Sequence, residues 1–301
     1  MITKLNEVVE AALKRGRKRL AVAYGQDSHT IEAVYDAYKE GLVEPTLYGD
    51  KEVIEKVCAE LNIPITAFNI VDVKKDTEAI AMAVASVKSG TADVLMKGLV
   101  STDKYMRGIL NKEKGLVPPK GILTHVSLVE LPSYHKLLVI SDVAIIPAPD
   151  FKQKQMQIKF LAETANMLGI ATPKIACISA TEQVLPTVQS NLECAILAKM
   201  GDRGQLGNVM VDGPLSLDVA LYKEVAEHKK VKGSAIAGDV DCLLFPNIES
   251  GNVFFKAASH IGGGELAAIV KGAQAPCVLT SRGDSALSKK YSIAMACLAA
   301  K

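Results

Sequence analysis

The feature that most constrains the fold is a pattern that recurs along the chain. A short run of apolar and β-branched residues is followed by a polar turn and then by residues in helical spacing. Six such runs occupy residues 20–25, 93–98, 174–180, 208–213, 241–246 and 276–280. Strands that alternate with helices are typical of α/β folds, and continuous apolar runs fit parallel strands buried on both faces. We therefore predict an α/β chain with mostly parallel sheets.

A proline pair marks the predicted domain boundary. Pro147 and Pro149 end the apolar run 137–146, and proline continues neither a central strand nor a helix. A helical pattern then runs from about Asp150 to Leu168. We predict a first domain that begins at residue 1 and ends at 147, and a second that begins at 148. The last strand and helix, 276–301, fit either domain by pattern alone.

Composition excludes several classes of partner. The 35 Lys and Arg residues against 33 Asp and Glu leave a net charge of +2, which predicts neither a nucleic-acid nor a membrane surface. Trp is absent, and no apolar run approaches the roughly 20 residues that span a bilayer. The six Cys show no metal-ligand spacing and are predicted to be reduced, buried thiols of a cytoplasmic protein.

The strongest candidate for an anion site follows the last predicted strand. Ser281, Arg282, Gly283 and Asp284 lie between that strand and a nearly all-apolar helix. The first turn of a helix has free N–H groups that bind anions, and the arginine fork suits phosphate. Glycine lets the backbone approach a ligand closely. The alternative is that Asp284 or Ser285 only caps the helix.

A second candidate site lies at residues 96–108. Lys97 stands at a strand end, Ser101 or Thr102 is placed to cap a helix, and Arg107 lies one turn inside that helix. Two cations near a helix N-terminus suit a phosphate or diphosphate. A solvent-exposed helix charge is the alternative explanation for Arg107.

Three further sets of residues have weaker signals. Asn247, Glu249 and Asn252 crowd one loop after a buried strand and are candidates for contacts to pantetheine or a carbonyl, although capping explains such residues equally well. His125, inside an apolar strand pattern, is either a core histidine or a general base. Two aspartates, 239 and 241, precede a strand instead of following it, so we predict no metal site.

Four motifs in order resemble the phosphate acetyl/butyryl transferases, the phosphotransacylases. The resemblance covers nearly the whole chain and rests on S-T-x-x-x-[LM]-R at 101–107, D-G-x-x-x-x-D at 212–218, F-P-x-x-x-x-G-N at 245–252 and S-R-G at 281–283. The segments 96–102, 124–126, 179–186 and 281–285 resemble the butyryl branch of the family.

The resemblance implies a fold, a reaction and a site. The fold is two α/β domains of the isocitrate/isopropylmalate dehydrogenase type, 1–147 plus 276–301 and 148–275, with the active site in the cleft between them. The reaction is reversible: butanoyl-CoA and phosphate give butanoyl phosphate and CoA, in a homodimer or higher oligomer. CoA is a substrate, and neither a metal nor another cofactor is expected. The implied substrate-binding residues are Lys97, Ser101, Thr102, Arg107, Asn247, Glu249, Asn252 and Gly283.

The catalytic base is where the sequence departs from the family pattern. Phosphotransacetylases have an aspartate seven residues after the motif serine, and that position is Ser288 here. We predict that Ser281 and Arg282 stabilise the reacting anions and that Asp284 is the base, with His125 as the alternative. Direct attack by the CoA thiolate is favoured over a covalent acyl-enzyme. The competing functions are a phosphate acetyltransferase, a metal-dependent dehydrogenase and a non-catalytic acyl-CoA-binding protein.

Overall fold

The structure is a computed structural model that describes residues 1–280 and 284–301. The helices in this part of the chain are α1 Leu5–Lys14, α2 Ser28–Lys39, α3 Lys51–Glu60, α4 Asp76–Lys88, α5 Thr102–Leu110, α6 Phe151–Met167, α7 Gln189–Asp202, α8 Leu217–Leu221, α9 Lys223–His228, α10 Ile248–His260 and α11 Ala286–Ala299. The strands are β1 Lys18–Ala23, β2 Val43–Gly49, β3 Asn69–Asp72, β4 Val94–Lys97, β5 Thr124–Glu130, β6 Leu138–Ser141, β7 Lys174–Ile178, β8 Met210–Leu215, β9 Cys242–Leu244, β10 Glu265–Lys271 and β11 Cys277–Val278. All six predicted strands are present, and the α/β prediction is confirmed.

The chain divides into two compact units. The N-terminal unit contains Asn6–Leu123 and Ala267–Lys301, and the central unit contains Met1–Leu5 and Thr124–Leu266. This division differs from the predicted boundary at residue 147, because β6 pairs in parallel with β9 and so belongs to the sheet of the central unit. Strand β10 pairs with β11, which places residues 267–275 in the N-terminal unit.

The sheet of the N-terminal unit has the strand order β3-β2-β1-β4-β11-β10, and only the β10–β11 pair is antiparallel among these strands. Ala23 at the end of β1 lies opposite Lys97 at the end of β4. Val278 of β11 lies opposite Met96 of the same strand. The carboxyl ends of β1, β4 and β11 therefore meet at one edge of the sheet, where parallel α/β sheets bind ligands.

The central unit has the strand order β5-β6-β9-β7-β8, with β5 and β6 antiparallel and the other described pairs parallel. Its core is built from aliphatic residues such as Ile140, Val219 and Leu243, all fully buried. Helix α6 begins where the sequence predicts, because Asp150 and Gln153 form a reciprocal capping box. The triple glycine 262–264 joins α10 to strand β10.

Charged side chains cluster at the amino ends of β7 and β9. The Lys136 ammonium lies 2.8 Å from an Asp239 oxygen and 2.6 Å from an Asp241 oxygen, and the Lys174 ammonium lies 2.6 Å from Asp239. Both aspartates are thus paired with lysines. Among residues 1–280 and 284–301, no cluster of three or more His, Cys, Asp or Glu could hold a metal ion. Nor does any helix in those ranges have the length and apolar character needed to span a bilayer.

Candidate functional site

A pocket of about 310 Å³ lies at the carboxyl edge of β1, β4 and β11 in the N-terminal unit. The start of α2 contributes Asp27, His29 and Thr30, and the end of β4 contributes Lys97, Gly98 and Leu99. Thr280 and Lys289 complete the lining from the two sides of the loop that precedes α11. The sequence singles out Lys97 among these residues but misses Asp27, His29 and Lys289, because the start of α2 and the start of α11 are far apart in the chain and only folding brings them together.

Glycine at position 98 brings β4 close to β1. The Gly98 N–H donates to the Ala23 carbonyl at 2.9 Å, and the next N–H, of Leu99, donates to the Tyr24 carbonyl at 2.9 Å. A Cβ atom on Gly98 would lie 2.4 Å from the Tyr24 carbonyl oxygen, which no side chain tolerates. The Lys-Gly pair of the 96–102 segment therefore fixes Lys97 beside the end of β1.

Two buried lysines face this pocket. Lys97 is 7% exposed, and its ammonium donates to the carbonyls of Gly98 at 3.2 Å and Val100 at 3.0 Å. Lys289, in the first turn of α11, is 5% exposed and donates to the Asp284 carbonyl at 2.9 Å. Within the described residues, no carboxylate lies within ion-pair distance of Lys289. The pocket wall therefore carries buried positive charge.

The start of α11 shows which residue caps this helix, a role that the sequence leaves open between Asp284 and Ser285. Ser285 is the N-cap, since its hydroxyl accepts the Ser288 N–H at 2.9 Å. Asp284 precedes the cap and is half-buried, so capping does not account for its carboxylate. The predicted site residues Ser281, Arg282 and Gly283 lie outside the described residues.

The motif at 101–107 begins helix α5. The Ser101 hydroxyl caps the helix by accepting the Lys104 N–H at 3.3 Å, and Thr102 is the first helical residue and is exposed. Arg107 lies on the exposed face, where its Nε donates to Asp103 at 3.1 Å. The capping prediction for Ser101 is confirmed.

A second, larger pocket of about 780 Å³ lies along α4 and α5. Its apolar lining includes Ile80 and Val84. Six charged side chains also line it, and the four cationic ones outnumber the two acidic ones: Lys88, Lys104, Arg107 and Lys114, with Asp103 and Glu113. An apolar surface edged by cations has the chemistry to bind a ligand that joins a flat apolar ring to phosphates.

The loop residues at 245–252 have structural partners in the central unit. Asn247 caps α10 by accepting the Ser250 N–H at 3.0 Å, and the Asn252 amide donates to the Val143 carbonyl at 3.0 Å. A Cβ atom on Gly251 would lie 2.3 Å from the Asp142 carbonyl oxygen. Glu249 is exposed in the first turn of α10. The G-N pair thus holds α10 against the loop after β6, which favours the structural explanation for Asn247 and Asn252.

His125 is buried in β5, with 3% of its surface exposed. Its ring Nδ1 lies 3.1 Å from the Ser127 hydroxyl, and its main-chain N–H donates to the Asp142 carboxylate at 3.2 Å. Asp142, which the sequence analysis did not single out, also accepts the N–H groups of Ala144 and Ile145 at 2.8 and 3.0 Å. These contacts fit a satisfied core histidine, and the catalytic role of His125 stays a prediction.

A family model described as phosphate acetyl/butaryl transferase matches residues 4–81 and 76–297, which is nearly the whole chain. The chain belongs to this family. It is 40% identical over 300 residues to the phosphate butyryltransferase of Clostridium acetobutylicum, covering 100% of this chain and 99% of that one. It is 39% identical to the phosphate acetyltransferase of Thermotoga maritima, covering 97% and 98% of the two chains. The prediction of family and of an acyltransferase is confirmed.

Solved structures agree with the family assignment. A branched-chain phosphotransacylase from Enterococcus faecalis V583 matches with a TM-score of 0.81 and 30% identity, covering 93% of this chain and 97% of that one. The 4-hydroxythreonine-4-phosphate dehydrogenase from Klebsiella pneumoniae matches with a TM-score of 0.52 and 13% identity, covering 93% and 99%. At that identity the second match shows a shared fold alone.

The family motif at 212–218 has structural contacts in this phosphotransacylase. The Asp218 carboxylate accepts hydrogen bonds from the Ser216 hydroxyl at 2.5 Å and from Lys229 at 3.2 Å, and these bonds lower the pKa of Asp218 to about 2. Asp212 accepts the N–H of the following residue, Gly213, at 2.7 Å. Asp212 thus makes a local contact within β8, whereas Asp218 ties the start of α8 to Ser216 and Lys229.

The thiols of this phosphotransacylase are unsuited to nucleophilic attack. All six Cys are buried. Burial raises the pKa of Cys277 and of Cys297 to about 12 and the pKa of Cys242 well above its usual range. Since the thiolate is the nucleophilic form, these three side chains are inert at neutral pH. This supports direct transfer over an acyl-cysteine intermediate.

Proposed function

We propose that the protein is a phosphate butyryltransferase, which converts butanoyl-CoA and phosphate reversibly into butanoyl phosphate and CoA. The observation that carries this proposal is the 40% identity, over the full length of both chains, to the phosphate butyryltransferase of Clostridium acetobutylicum. Two of the segments that resemble the butyryl branch, 96–102 and 281–285, contain the pocket residue Lys97 and directly follow the pocket residue Thr280, which adds support.

The chemistry needs a base and a set of anion-stabilising groups. In the CoA-consuming direction, the CoA thiol loses its proton to a base and the thiolate attacks the carbonyl of the acyl phosphate, so that phosphate leaves. Arg282, the Ser281 hydroxyl and the helix N-terminus stabilise the oxyanion and the departing phosphate. Asp284 is the proposed base, because it shares their loop and is not needed as the N-cap of α11.

The pocket along α4 and α5 is the proposed site for the nucleotide end of CoA. Arg107 and Lys104 provide cations for its phosphates, while Ile80 and Val84 provide an apolar surface for adenine. The Arg107 side chain is 79% exposed, and among the described residues its ion pair is with Asp103 of its own helix, so its guanidinium is accessible to a ligand.

Phosphate acetyltransferase is the second candidate function. The relative from Thermotoga maritima that bears this name is 39% identical over nearly the full chain, which is almost the same similarity. The two activities share their chemistry and differ in the size of the acyl group, so kinetics over acyl chain length separates them.

Release of CoA thiol, measured with inorganic phosphate and a series of acetyl-, propanoyl-, butanoyl- and isobutanoyl-CoA, tests this proposal. We expect kcat/KM to be highest for butanoyl-CoA and release to require phosphate. Equal or better efficiency with acetyl-CoA would assign the acetyltransferase function instead. Thiol release without any dependence on phosphate would contradict the whole reaction class.

The remaining proposals concern assembly and location. We propose a homodimer or higher homo-oligomer, as the resemblance implies, and light scattering after size-exclusion chromatography measures its mass against 32.1 kDa per chain. We also propose a cytoplasmic location, which six buried cysteines support because free thiols persist in reducing compartments.

A further inference from the structure

We propose that Tyr105 is a positioning residue for the transfer reaction. Its side chain joins helix α5, which carries the 101–107 motif, to strand β11, which leads to the pocket residue Thr280. The Tyr105 hydroxyl holds the carboxyl end of β11 in place, while the opposite face of α5 is available to the nucleotide end of CoA. This inference rests on the proposed function for the identity of the reaction.

The contact is a buried hydrogen bond from a side chain to the main chain. Tyr105 is fully buried, and its hydroxyl donates to the Val278 carbonyl at 3.2 Å, although the two residues are 173 positions apart. A buried tyrosine hydroxyl without a partner would be costly, so the bond fixes the ring relative to the strand. Burial raises the pKa of the Tyr105 phenol well above its ordinary value, and the group therefore stays protonated at neutral pH.

Strand β11 is very short, so a side-chain contact has a large influence on its position. Only Cys277 and Val278 form the strand, which lies between β4 and β10. Two residues make few main-chain hydrogen bonds with their neighbours. Thr280 enters the pocket lining two positions later, directly before the predicted site residues Ser281 and Arg282. A shift of the Val278 carbonyl would therefore move the residues that follow the strand.

Helix α5 has two chemically different faces. Tyr105 and Ile109 are buried on one face, whereas Lys104 and Arg107 are exposed and line the 780 Å³ pocket. This pocket is the proposed site for the nucleotide end of CoA, and the thiol at the other end must reach the residues after β11. Because the Tyr105 hydroxyl joins α5 to β11, it sets the separation of these two sites. Misplacement of reacting groups by about 1 Å can cost about 100-fold in rate.

Steady-state kinetics of Tyr105→Phe in the thiol-release assay test this role. The substitution keeps the ring and removes only the hydroxyl. We expect kcat to fall about 10-fold or more, because the reacting groups are less well aligned. KM for butanoyl-CoA should stay within about twofold of wild type, since the binding face of α5 is unchanged. The fold loss in kcat should be the same across the neutral pH range, because the phenol does not titrate there.

Tyr134→Phe is the matched control in the central unit. Tyr134 is 5% exposed and its hydroxyl donates to the Val240 carbonyl at 2.8 Å, so this substitution also removes one buried bond from a hydroxyl to a carbonyl. Both variants should unfold at a lower urea concentration than wild type, but only Tyr105→Phe should lose kcat. Equal losses of kcat in the two variants, or a wild-type kcat in folded Tyr105→Phe, would overturn the assignment. A loss that changes with pH would also contradict it, because the hydroxyl would then transfer a proton in the reaction.

Alkylation of buried thiols detects the same contact without turnover. Cys277 in β11 is fully buried, so iodoacetamide reaches it only when the strand opens locally. We expect Cys277 of Tyr105→Phe to react about 3- to 10-fold faster than in wild type, the effect of losing one neutral hydrogen bond. Peptide mass spectrometry measures the rate at each cysteine. Cys58, buried in α3 of the same unit, is the internal control and should keep its wild-type rate. Equal acceleration at both cysteines would indicate a general loss of stability and would rule out the positioning role.

The two measurements separate this inference from the proposed function. Wild-type protein that releases no thiol from butanoyl-CoA would contradict the proposed function, while the alkylation rates still test the contact between Tyr105 and β11. If circular dichroism shows that Tyr105→Phe is unfolded, both measurements are made in sucrose, which favours the compact state. A variant that stays unfolded in sucrose would show that the hydroxyl is needed for folding itself, against the role proposed for it.

Discussion

Asp284 and His125 are the two candidate bases, and they lie in very different surroundings. Asp284 is half-buried next to the pocket lysine Lys289, whereas His125 is buried in β5 against Ser127 and the ring of Phe255. A base must come within hydrogen-bond distance of the thiol whose proton it takes. The more accessible carboxylate is therefore the better candidate.

Asp284→Asn should lose activity at neutral pH and regain part of it as the pH rises, because alkali ionises the CoA thiol without help. The substitution should leave the melting temperature nearly unchanged, since Ser285 provides the N-cap of α11. The pH profile of kcat and a thermal melt measure both effects. Normal turnover in Asp284→Asn, together with an inactive but folded His125→Ala, would transfer the role to His125.

At the scale of elements, Gly98 determines how closely β4 approaches β1. Gly98→Ala would press a methyl group against the Tyr24 carbonyl, so we expect a loss of about 1–3 kcal/mol in the free energy of unfolding. Phosphate-dependent turnover should fall as well, because Lys97 precedes the displaced residue. Urea unfolding and the thiol-release assay measure these effects.

Gly49→Ala is the matched control at the end of β2. There the new methyl group would lie 3.1 Å from Gln26 Oε1 and 3.3 Å from Ile54 Cδ1, and these are side-chain ends that can shift. A smaller loss of stability and near-normal turnover are expected. If the two alanine variants behave alike, the contact between Gly98 and Tyr24 does not position Lys97.

The elements show which parts of the fold are readable from sequence. Strands with long apolar runs, such as β1 and β7, were predicted because burial on both faces excludes polar residues. The edge strand β3 was missed, since it contains only partly buried and exposed positions. In the site, Lys289 was missed because a Lys-Lys pair in a helix is typical of a solvated face. Only tertiary packing buries the first lysine and leaves the second near the surface.

At the scale of the whole molecule, acid sensitivity should depend in part on Asp239. Partial burial acts to raise the pKa of Asp239, but hydrogen bonds from Lys136 and Lys174 outweigh it and lower the pKa to about 2. The ionised form is therefore favoured by folding. Its contribution is present above about pH 4, the ordinary range of an aspartate, and is lost as the pH falls towards 2.

Asp239→Asn should reduce the free energy of unfolding by about 1 kcal/mol at pH 6, a modest amount because the side chain is 44% exposed. The difference in the free energy of unfolding between Asp239→Asn and wild type should narrow as the pH drops to 3. Urea unfolding at several pH values measures this difference. Asp202→Asn, which removes an exposed partner of Lys199, serves as control and should change little at any pH. A gap that does not depend on pH would rule out this origin.

The order of the chain within the N-terminal unit has a consequence for its synthesis. Strand β11 and helix α11 lie between the residues of the central unit and the C-terminus, yet they complete the sheet and supply Lys289 to the pocket. Domains generally fold as units while the ribosome is still working, N-terminal ones first. Here residues 277–299 must be synthesised after the whole central unit before the pocket lining is complete. A polypeptide that stops before residue 277 would therefore lack Thr280 and Lys289 from this lining.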